Sequence, residues 1–133
     1  MLLTLVRHAP AQPREGQAAS KDGSRGLTRR GRSKFREVRK ALRRADLRFD
    51  RMLFSPLARA LETAELLMPL VDGPAHPEPA LAGPPREALL ELLGRVQGGD
   101  KARPVLVGHQ PHLAALAAWL VWGRRALGSA IDL

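Results

Sequence analysis

Apolar residues along the chain occur in two patterns, as short continuous runs and as stripes at helical spacing. The nearly continuous runs lie in the segments Leu2–Val6, Arg51–Phe54 and Pro104–Gly108. Short runs without polar alternation are typical of strands that are buried on both faces of a parallel sheet. Two weaker segments are compatible with short strands, one near Ala80–Leu81 and a last edge strand over Ser129–Leu133. The pattern therefore predicts a sheet of short, mostly buried strands.

The first two predicted helices follow the first and second apolar runs. One starts after Thr28, a suitable N-cap, and the next has Ser55 as its N-cap and Pro56 at the first helical position. Their expected inward-facing residues are Phe35, Val38, Leu42 and Ala45 in the first helix, and Leu57, Leu61, Ala64 and Leu67 in the second. The segment Pro10–Gly26, before the first helix, is rich in Pro, Gly and Gln and is predicted to be a long loop.

Two further helices are predicted, over Arg86–Val96 and from Pro111 to Trp122. Strands that alternate with helices in this way indicate an α/β fold. Because crossovers between parallel strands are right-handed, the helices should cover both faces of the sheet. We therefore expect a three-layer α/β/α sandwich with a mostly parallel central sheet, formed by a single domain over residues 1–133.

Composition excludes several classes of protein. The 133 residues contain no cysteine, which excludes a disulfide scaffold and a thiolate metal site. The run Leu2–Val6 is too short for a signal peptide, and the longest apolar run, Leu113–Trp122, is too short to span a bilayer. We therefore expect a cytoplasmic protein that has no membrane partner.

The chain is strongly basic, with 22 Lys and Arg against 13 Asp and Glu and a net charge of +9. Many of these cations lie between Arg29 and Arg48, on and just after the first predicted helix. A basic surface attracts anions, so this helix is either a solvated face or a docking site for an acidic protein or a nucleic acid. With three Phe, two Trp and no Tyr, few side chains can stack on bases, and a nucleic-acid partner is not expected.

Polar side chains follow three of the predicted strands at the points where those strands end. Arg7 and His8 follow the first strand, and His109 follows the last of the three. Ser55 follows the second, with Arg59 one turn into the next helix. Ligands of open α/β sheets bind outside the carboxyl ends of the strands, where helix N-termini also point. If these strands are neighbours, two histidines and two arginines converge on a volume suited to a phosphoryl group.

The chemistry that this cluster favours is nucleophilic attack by a histidine. A neutral imidazole at His8 is a good nucleophile at neutral pH and can carry a phosphoryl group covalently. Neighbouring guanidinium groups would stabilise the charge on the oxygens of the transferring group. A metal site is less favoured: His109 and His112 have His-x-x-His spacing, but Pro111 lies between them and no carboxylate or cysteine cluster accompanies them. We therefore predict neither a metal nor another cofactor.

Four motifs, in order along the chain, resemble those of the histidine phosphatase superfamily, the phosphoglycerate mutase-like proteins. They are Arg7-His8-Ala9, Leu27-Thr28-x-x-Gly31, Ser55-Pro56-x-x-Arg59-Ala60-x-x-Thr63-Ala64, and Gly108-His109. The stretch Asp22-x-x-Arg25-x-Leu27-Thr28 and the short length also resemble the SixA-type phosphohistidine phosphatases. This resemblance covers most of the chain and implies a phosphoglycerate mutase-like fold.

The resemblance also implies a role for each matched residue. The implied catalytic residues are His8 as nucleophile with Arg7, Arg59 and His109 around the phosphate, and the implied substrate-binding residues are Arg25 and Ser55. The implied activity is that of a metal-independent phosphatase. Its preferred substrate would be phosphohistidine on a protein, for example a histidine-phosphotransfer domain. A small phosphorylated metabolite is the other expected partner, and phosphate or sulfate would fit the same pocket.

Two positions depart from the family pattern. Glu62 stands where the motif often has Gln, a change that a helix should tolerate. Many members have a catalytic Glu or Asp near the stretch that reads Pro79–Gly83 here, and no carboxylate lies within it. A phosphomonoester needs its alkoxide leaving group protonated, whereas a phosphohistidine expels an imidazole, a better leaving group. The second departure therefore favours phosphoramidate substrates.

Two alternatives remain open. The first is a small-molecule phosphomonoesterase of the same superfamily, with Glu78 or Asp22 as the acid. The second belongs to another class, a docking module for nucleic acid or protein that uses the basic helix while the pocket is vestigial. A mutase is less favoured, because it needs room for two phosphate positions and this chain is short.

Overall fold

In the part of the chain that the structure describes, four parallel strands form the sheet on which the site is built. The computed structural model describes residues 1–12, 23–96 and 98–123. The strands are β1 Thr4–Arg7, β2 Arg51–Phe54, β3 Ala75–Pro77 and β4 Pro104–Gly108, in the order β1-β4-β2-β3. Central β4 is fully buried, whereas β1 pairs with β4 at the edge of the described sheet and is only half-buried. The expectation that β1 is buried on both faces is therefore wrong. The predicted strand Ser129–Leu133 lies outside the described residues.

Four α-helices are described, and their bounds are α1 Arg29–Arg44, α2 Ala58–Leu67, α3 Glu87–Gly94 and α4 His112–Trp122. Helix α1 starts where predicted, because the Thr28 side chain accepts a hydrogen bond from the backbone N–H of Gly31 at 2.8 Å. Short 3₁₀ helices occupy Met68–Leu70, Pro79–Ala82 and Gly99–Lys101. Within the described ranges, no helix has the length and apolar character needed to cross a bilayer.

Alternate residues of β4 face two separate cores, and this arrangement creates the three layers. Val105 and Val107 pack with buried residues of α1 and α2, among them Phe35 and Leu67. Leu106 points to the opposite face and packs with leucines of α3 and α4. Since successive side chains of a strand point to opposite faces, a continuous apolar run is needed to fill both cores. The predicted α/β/α sandwich with a parallel sheet is confirmed.

The third strand lies earlier in the chain than the apolar pattern indicates. Ala80 and Leu81 belong to the 3₁₀ helix Pro79–Ala82 and not to a strand. The Glu78 carboxylate caps this helix by accepting a hydrogen bond from the Ala80 N–H at 3.1 Å. Leu81 is buried in the core formed with α3 and α4. The apolar pair therefore marks one buried helical turn, and the strand itself is Ala75–Pro77, paired with β2.

Helix α2 starts later than predicted. Ser55 is not its N-cap, because the Ser55 N–H donates to the Val107 carbonyl at 2.9 Å and thereby extends the sheet ladder by one residue. The helix begins at Ala58, with Leu57 at the N-cap position. This shift keeps Ser55 in the sheet, next to the residue that follows β4.

The buried faces of α1 and α2 differ from the apolar stripes, because some residues that the stripes place inside are exposed. Residues Arg59, Ala60, Thr63, Ala64 and Leu67 form the buried face of α2. Leu61, predicted to face inward, is 38% exposed, and Leu57 is half-buried. In α1, Val38 is 46% exposed and Ala45 is exposed. The predicted stripes are therefore wrong at Leu61, Val38 and Ala45, because each helix contacts the sheet along one side only.

Candidate active site

The register of the strands brings the polar residues of three strand ends together. Arg7, the last residue of β1, pairs with Gly108, the last residue of β4, and the His8 N–H then donates to the Gly108 carbonyl at 3.0 Å. The next residues, His8 and His109, are consequently neighbours, with ring centroids 5.1 Å apart and planes inclined at 56°. Ser55 follows β2 on the other side of β4. The predicted convergence of these strand ends is therefore observed.

The hydrogen bond of the His8 ring determines which nitrogen is available for chemistry. The Nδ1 atom of His8 lies 2.7 Å from the carbonyl oxygen of Ala9. A carbonyl oxygen can only accept, so Nδ1 carries the proton and donates it in this bond. The Nε2 atom then holds the free lone pair of the neutral ring. This hydrogen bond fixes the ring orientation and leaves the Nε2 lone pair outside it.

The pKa of His8 is lowered from its ordinary value of 6.5. Burial is the largest cause, since it disfavours the charged ring. The positive charges of Arg59, Arg7 and Arg25 act in the same direction, while the hydrogen bond to the Ala9 carbonyl opposes them. The lowered pKa favours the neutral imidazole at pH 7, the state that a histidine nucleophile requires.

His8 and three arginines line one open cleft with a volume of about 820 Å³. Arg59 lies in the first turn of α2 and is only 8% exposed, although it carries a charge. Arg25 reaches the cleft from the segment before α1, and its Nη1 donates to the Gln12 carbonyl at 2.5 Å. Arg7 is exposed at the end of β1. Three guanidinium groups at one imidazole make the cleft suited to an oxyanion with several negative oxygens.

One wall of the same cleft is formed by α1 and the outer side of β1. Lys34, Phe35, Val38 and Leu42 line it from the helix. Val38 thus faces the cleft instead of the core, which accounts for its exposure. The cleft therefore combines a cationic end, at His8, with a more apolar extension along α1.

His109 and Ser55 form a buried pair beside His8. The Nε2 atom of His109 lies 2.7 Å from the Ser55 Oγ, and the two residues are 6% and 0% exposed. The Ser55 Oγ also accepts a hydrogen bond from the Leu57 N–H at 3.3 Å. The structure thus places Ser55 against the His109 ring and the turn before α2, where it orients the imidazole.

Thr63 is a buried residue of α2 that sequence reasoning recorded only as part of a motif. Its Oγ1 accepts a hydrogen bond from the Ala9 N–H at 3.0 Å and donates to the Arg59 carbonyl at 2.8 Å. The peptide units of Ala9 thereby link Thr63 on one side to His8 on the other. Its side chain is fully buried, with 0% exposure. The motif marked Thr63 as a residue of interest, but only the fold shows that its side chain binds the backbone N–H of Ala9.

Of the two candidate acids, the structure describes Glu78 but not Asp22. Glu78 caps the 3₁₀ helix that follows it, through the hydrogen bond to Ala80 described above. Asp22 lies outside the described residues. In the part of the cleft formed by described residues, the charged and titratable lining side chains are Arg7, His8, Arg25, Lys34 and Arg59.

The two histidines with His-x-x-His spacing differ in local structure, since one follows β4 and the other begins α4. His109 lies next to His8, while His112 is the first residue of α4 and is half-buried. Across residues 1–12, 23–96 and 98–123, no group of three or more His, Asp and Glu side chains is arranged to hold a metal ion.

Comparison with known proteins places this geometry in a family. Residues 3–83 match the family described as "Histidine phosphatase superfamily (branch 1)". An uncharacterized protein of Picosynechococcus is 38% identical over 127 residues, which are 93% of this chain and 75% of that protein.

Two solved structures show the same fold over most of the chain. The protein histidine phosphatase SixA complexed with tungstate is 28% identical with a TM-score of 0.76, covering 90% of this chain and 76% of that one. Phosphoglycerate mutase from Plasmodium falciparum shares the fold at 17% identity, with a TM-score of 0.62 and coverage of 97% and 70%. The predicted phosphoglycerate mutase-like fold is confirmed. The chain belongs to the histidine phosphatase superfamily, in its SixA-like branch, and this membership supports phosphatase activity.

Proposed function

We propose that the chain is a phosphatase that removes the phosphoryl group from phosphohistidine on a protein, through a covalent phosphohistidine at His8. The observation that carries this proposal is the fixed tautomer of His8 within a group of arginines. Its Nδ1–H donates to the Ala9 carbonyl, so the Nε2 lone pair is available beside Arg7, Arg25 and Arg59. An imidazole held in this way has the orientation and the charge state that a nucleophile requires.

The proposed reaction consists of two displacements at phosphorus. In the first, the Nε2 lone pair of His8 forms a bond to phosphorus while the P–N bond of the substrate breaks, and the substrate imidazole leaves with the electron pair and takes up a proton. In the second, water bonds to phosphorus and loses a proton while the bond to His8 breaks, which releases inorganic phosphate. Arg7, Arg25 and Arg59 neutralise the phosphoryl oxygens in both steps, and His109 lies beside the nucleophile, with its ring centroid 5.1 Å from that of His8.

The chemistry of the leaving group supports phosphohistidine as the substrate class. An imidazole leaves from phosphorus more readily than an alkoxide, so a cleft lined by cations is sufficient for a phosphoramidate. The 28% identity to the protein histidine phosphatase SixA supports the same class. A protein substrate also suits the basic surface of α1 beside the cleft. A histidine-phosphotransfer domain is the proposed kind of substrate.

The test follows the phosphoryl group from a labelled phosphohistidine protein. We expect wild-type chain to release phosphate and to carry acid-labile label on His8 after rapid quenching. His8→Ala should abolish both signals, whereas His76→Ala should retain them, because His76 lies on β3 and is exposed. Release of phosphate at the wild-type rate by the His8 variant would contradict the proposal.

A second assay separates the proposed substrate class from its rivals. With p-nitrophenyl phosphate we expect much slower turnover than with phosphohistidine. Faster turnover of the ester would favour the phosphomonoesterase, with Glu78 or Asp22 as the acid. Absence of turnover on either substrate would favour a docking module. Because the proposed reaction uses no metal ion, addition of EDTA should leave the rate unchanged.

A further inference from the structure

The segment that carries Arg25 is attached to the loop after β1 by backbone hydrogen bonds. The Gln12 N–H donates to the Gly26 carbonyl at 2.9 Å, and the Thr28 N–H donates to the Pro10 carbonyl at 3.1 Å. Ala11 and Leu27 form an antiparallel bridge between the same two segments. These bonds join the segment to the His8 loop. Leu27 is also buried in the core and Thr28 caps α1, so the segment runs directly into the helical layer. A side-chain contact from α2 at this point would hold the backbone next to Arg25.

Glu62, a partly exposed residue of α2, supplies such a contact. Its Oε2 accepts a hydrogen bond from the Leu27 N–H at 2.5 Å, and its Oε1 accepts one from the Arg32 Nη2 at 2.7 Å. The Glu62 and Arg32 side chains are 24% and 35% exposed, so the ion pair is partly shielded from water. A carboxylate that accepts from a backbone N–H and a guanidinium makes two charge-assisted hydrogen bonds.

Gly26 allows the carboxylate to approach the segment this closely. A Cβ atom at position 26 would lie 2.7 Å from Oε2 and 2.8 Å from Oε1 of Glu62. The backbone therefore passes directly against the Glu62 carboxylate one residue after Arg25. Glycine is the residue that leaves this space open.

We propose that Glu62 is a positioning residue, which holds the 25–27 segment so that the Arg25 guanidinium stays in the phosphate cleft. This inference rests on the proposed function only in taking the cleft as a phosphoryl site. Arg59 and Glu62 lie on the same helix, so α2 places one guanidinium directly and a second one through Glu62. The contact requires an oxygen acceptor at position 62, and the side-chain oxygen of Gln could accept from the Leu27 N–H as that of Glu does.

The test measures binding of inorganic phosphate by calorimetry together with KM and kcat on phosphohistidine protein. Glu62→Ala should weaken phosphate binding about tenfold and raise KM more than it lowers kcat, since His8 is not moved. Glu62→Gln should restore most of the affinity, because the amide oxygen still accepts from Leu27. The matched control is Glu65→Ala, an exposed glutamate of the same helix, which should change neither quantity.

A double-mutant cycle identifies the route of the effect. If Glu62 acts through Arg25, the phosphate affinity of Glu62→Ala/Arg25→Ala should equal that of Arg25→Ala alone. Additive losses would overturn the proposal, as would a Glu62→Ala variant that behaves like Glu65→Ala. Gly26→Ala provides a second variant if Glu62→Ala folds poorly: it keeps the carboxylate but displaces it from the segment, and it should weaken phosphate binding.

The two proposals fail in different measurements. A wild-type chain that binds phosphate but hydrolyses no phosphohistidine would overturn the proposed function, and the phosphate-binding cycle would still decide the role of Glu62. Conversely, active wild type with an additive cycle would overturn the role of Glu62 alone.

Discussion

His8 must remain neutral to act as a nucleophile, and three side chains in its surroundings favour this state. Burial lowers its pKa most, and the charges of Arg59, Arg7 and Arg25 lower it further. The same arginines serve as ligands for the phosphoryl oxygens in the proposed reaction. In that proposed reaction, the positive charge that would bind the substrate also favours the unprotonated form of His8.

The first prediction concerns the pH dependence of activity. Because the pKa of His8 is lowered, the acid limb of a plot of kcat/KM against pH should lie below 6.5. Activity should fall as pH drops through that lowered pKa, when the imidazole becomes charged. A titration of the His8 ring by NMR in the free protein should give the same midpoint. A midpoint at or above 6.5 would contradict the prediction.

The same shift predicts a change in stability with pH. Between the lowered folded-state pKa and the unfolded value of 6.5, the unfolded chain binds the proton and the folded chain does not. The contribution of His8 to the free energy of unfolding should therefore be present above pH 6.5 and be lost as pH falls through this window. Urea unfolding of wild type and of His8→Ala, at a series of pH values, isolates this contribution. Parallel curves for the two proteins would exclude it.

Thr63 gives a prediction for a residue that acts through the backbone. Thr63→Val keeps the shape of the side chain but leaves the buried Ala9 N–H without its acceptor, which should cost about 1–3 kcal/mol of stability. Since Ala9 also holds the His8 Nδ1–H, kcat should fall as well. Thr63→Ser, which keeps the hydroxyl, should recover both quantities. Wild-type kcat in the valine variant would show that the Ala9 contact does not orient His8.

At the scale of elements, caps and close contacts decide where helices lie. The Thr28 cap and the helical stripe through Phe35 were sufficient to predict α1. The predicted start of α2 lies before the observed one. The Ser55 N–H donates to the carbonyl of Val107, a residue remote in the sequence, and this bond keeps Ser55 in the sheet. The prediction of a strand near Ala80–Leu81 was wrong for a similar reason. Leu81 is buried in the core, and a buried helical turn can have the same apolar residues as a short strand.

Gly31 provides the prediction at this scale. It lies in the first turn of α1, and a Cβ there would come within 2.2 Å of the Pro10 carbonyl oxygen. Gly31→Ala should therefore destabilise the fold and reduce activity, because the loop that begins at His8 must move. Helix propensity alone predicts the opposite, a gain of about 1 kcal/mol.

Gly94 is the matched control for that substitution. It is the last residue of α3, and a Cβ there meets nothing within 4 Å. Gly94→Ala should leave stability unchanged or raise it by up to about 1 kcal/mol, with no effect on activity. Thermal unfolding of both variants checks the pair. Equal effects at the two positions would show that the contact with Pro10 is unimportant.

At the scale of the whole molecule, charge is unevenly distributed. The net charge is +9, and α1 carries many of the cations beside the apolar extension of the cleft. Attraction between such a surface and an acidic protein accelerates association and is screened by salt. A small substrate that occupies only the cationic end of the cleft gains less from this surface.

This difference predicts distinct salt dependences for two kinds of substrate. Raising NaCl from about 0.05 M to about 0.5 M should increase KM more for an acidic phosphohistidine protein than for free phosphoramidate. Lys34→Glu, at the cleft wall, should weaken the protein substrate selectively. Lys101→Glu, an exposed lysine outside the cleft lining, is the control. Equal responses of both substrates would indicate that α1 takes no part in docking.

The sequence by itself determined the four helices, three of the strands, the parallel α/β architecture and the identity of the strand-end residues, because periodicity, caps and turn residues act over a few neighbouring positions. It also contained the motifs that marked Arg7, His8, Arg59 and His109. Strand order, register and the partners of side chains were decided only by the tertiary structure. Ser55 meets His109, and Thr63 meets Ala9, across 54 positions in each case. Glu62 meets Leu27 across 35 positions. Such hydrogen bonds depend on how two separate elements pack, and a local pattern of residues carries no information about that distance.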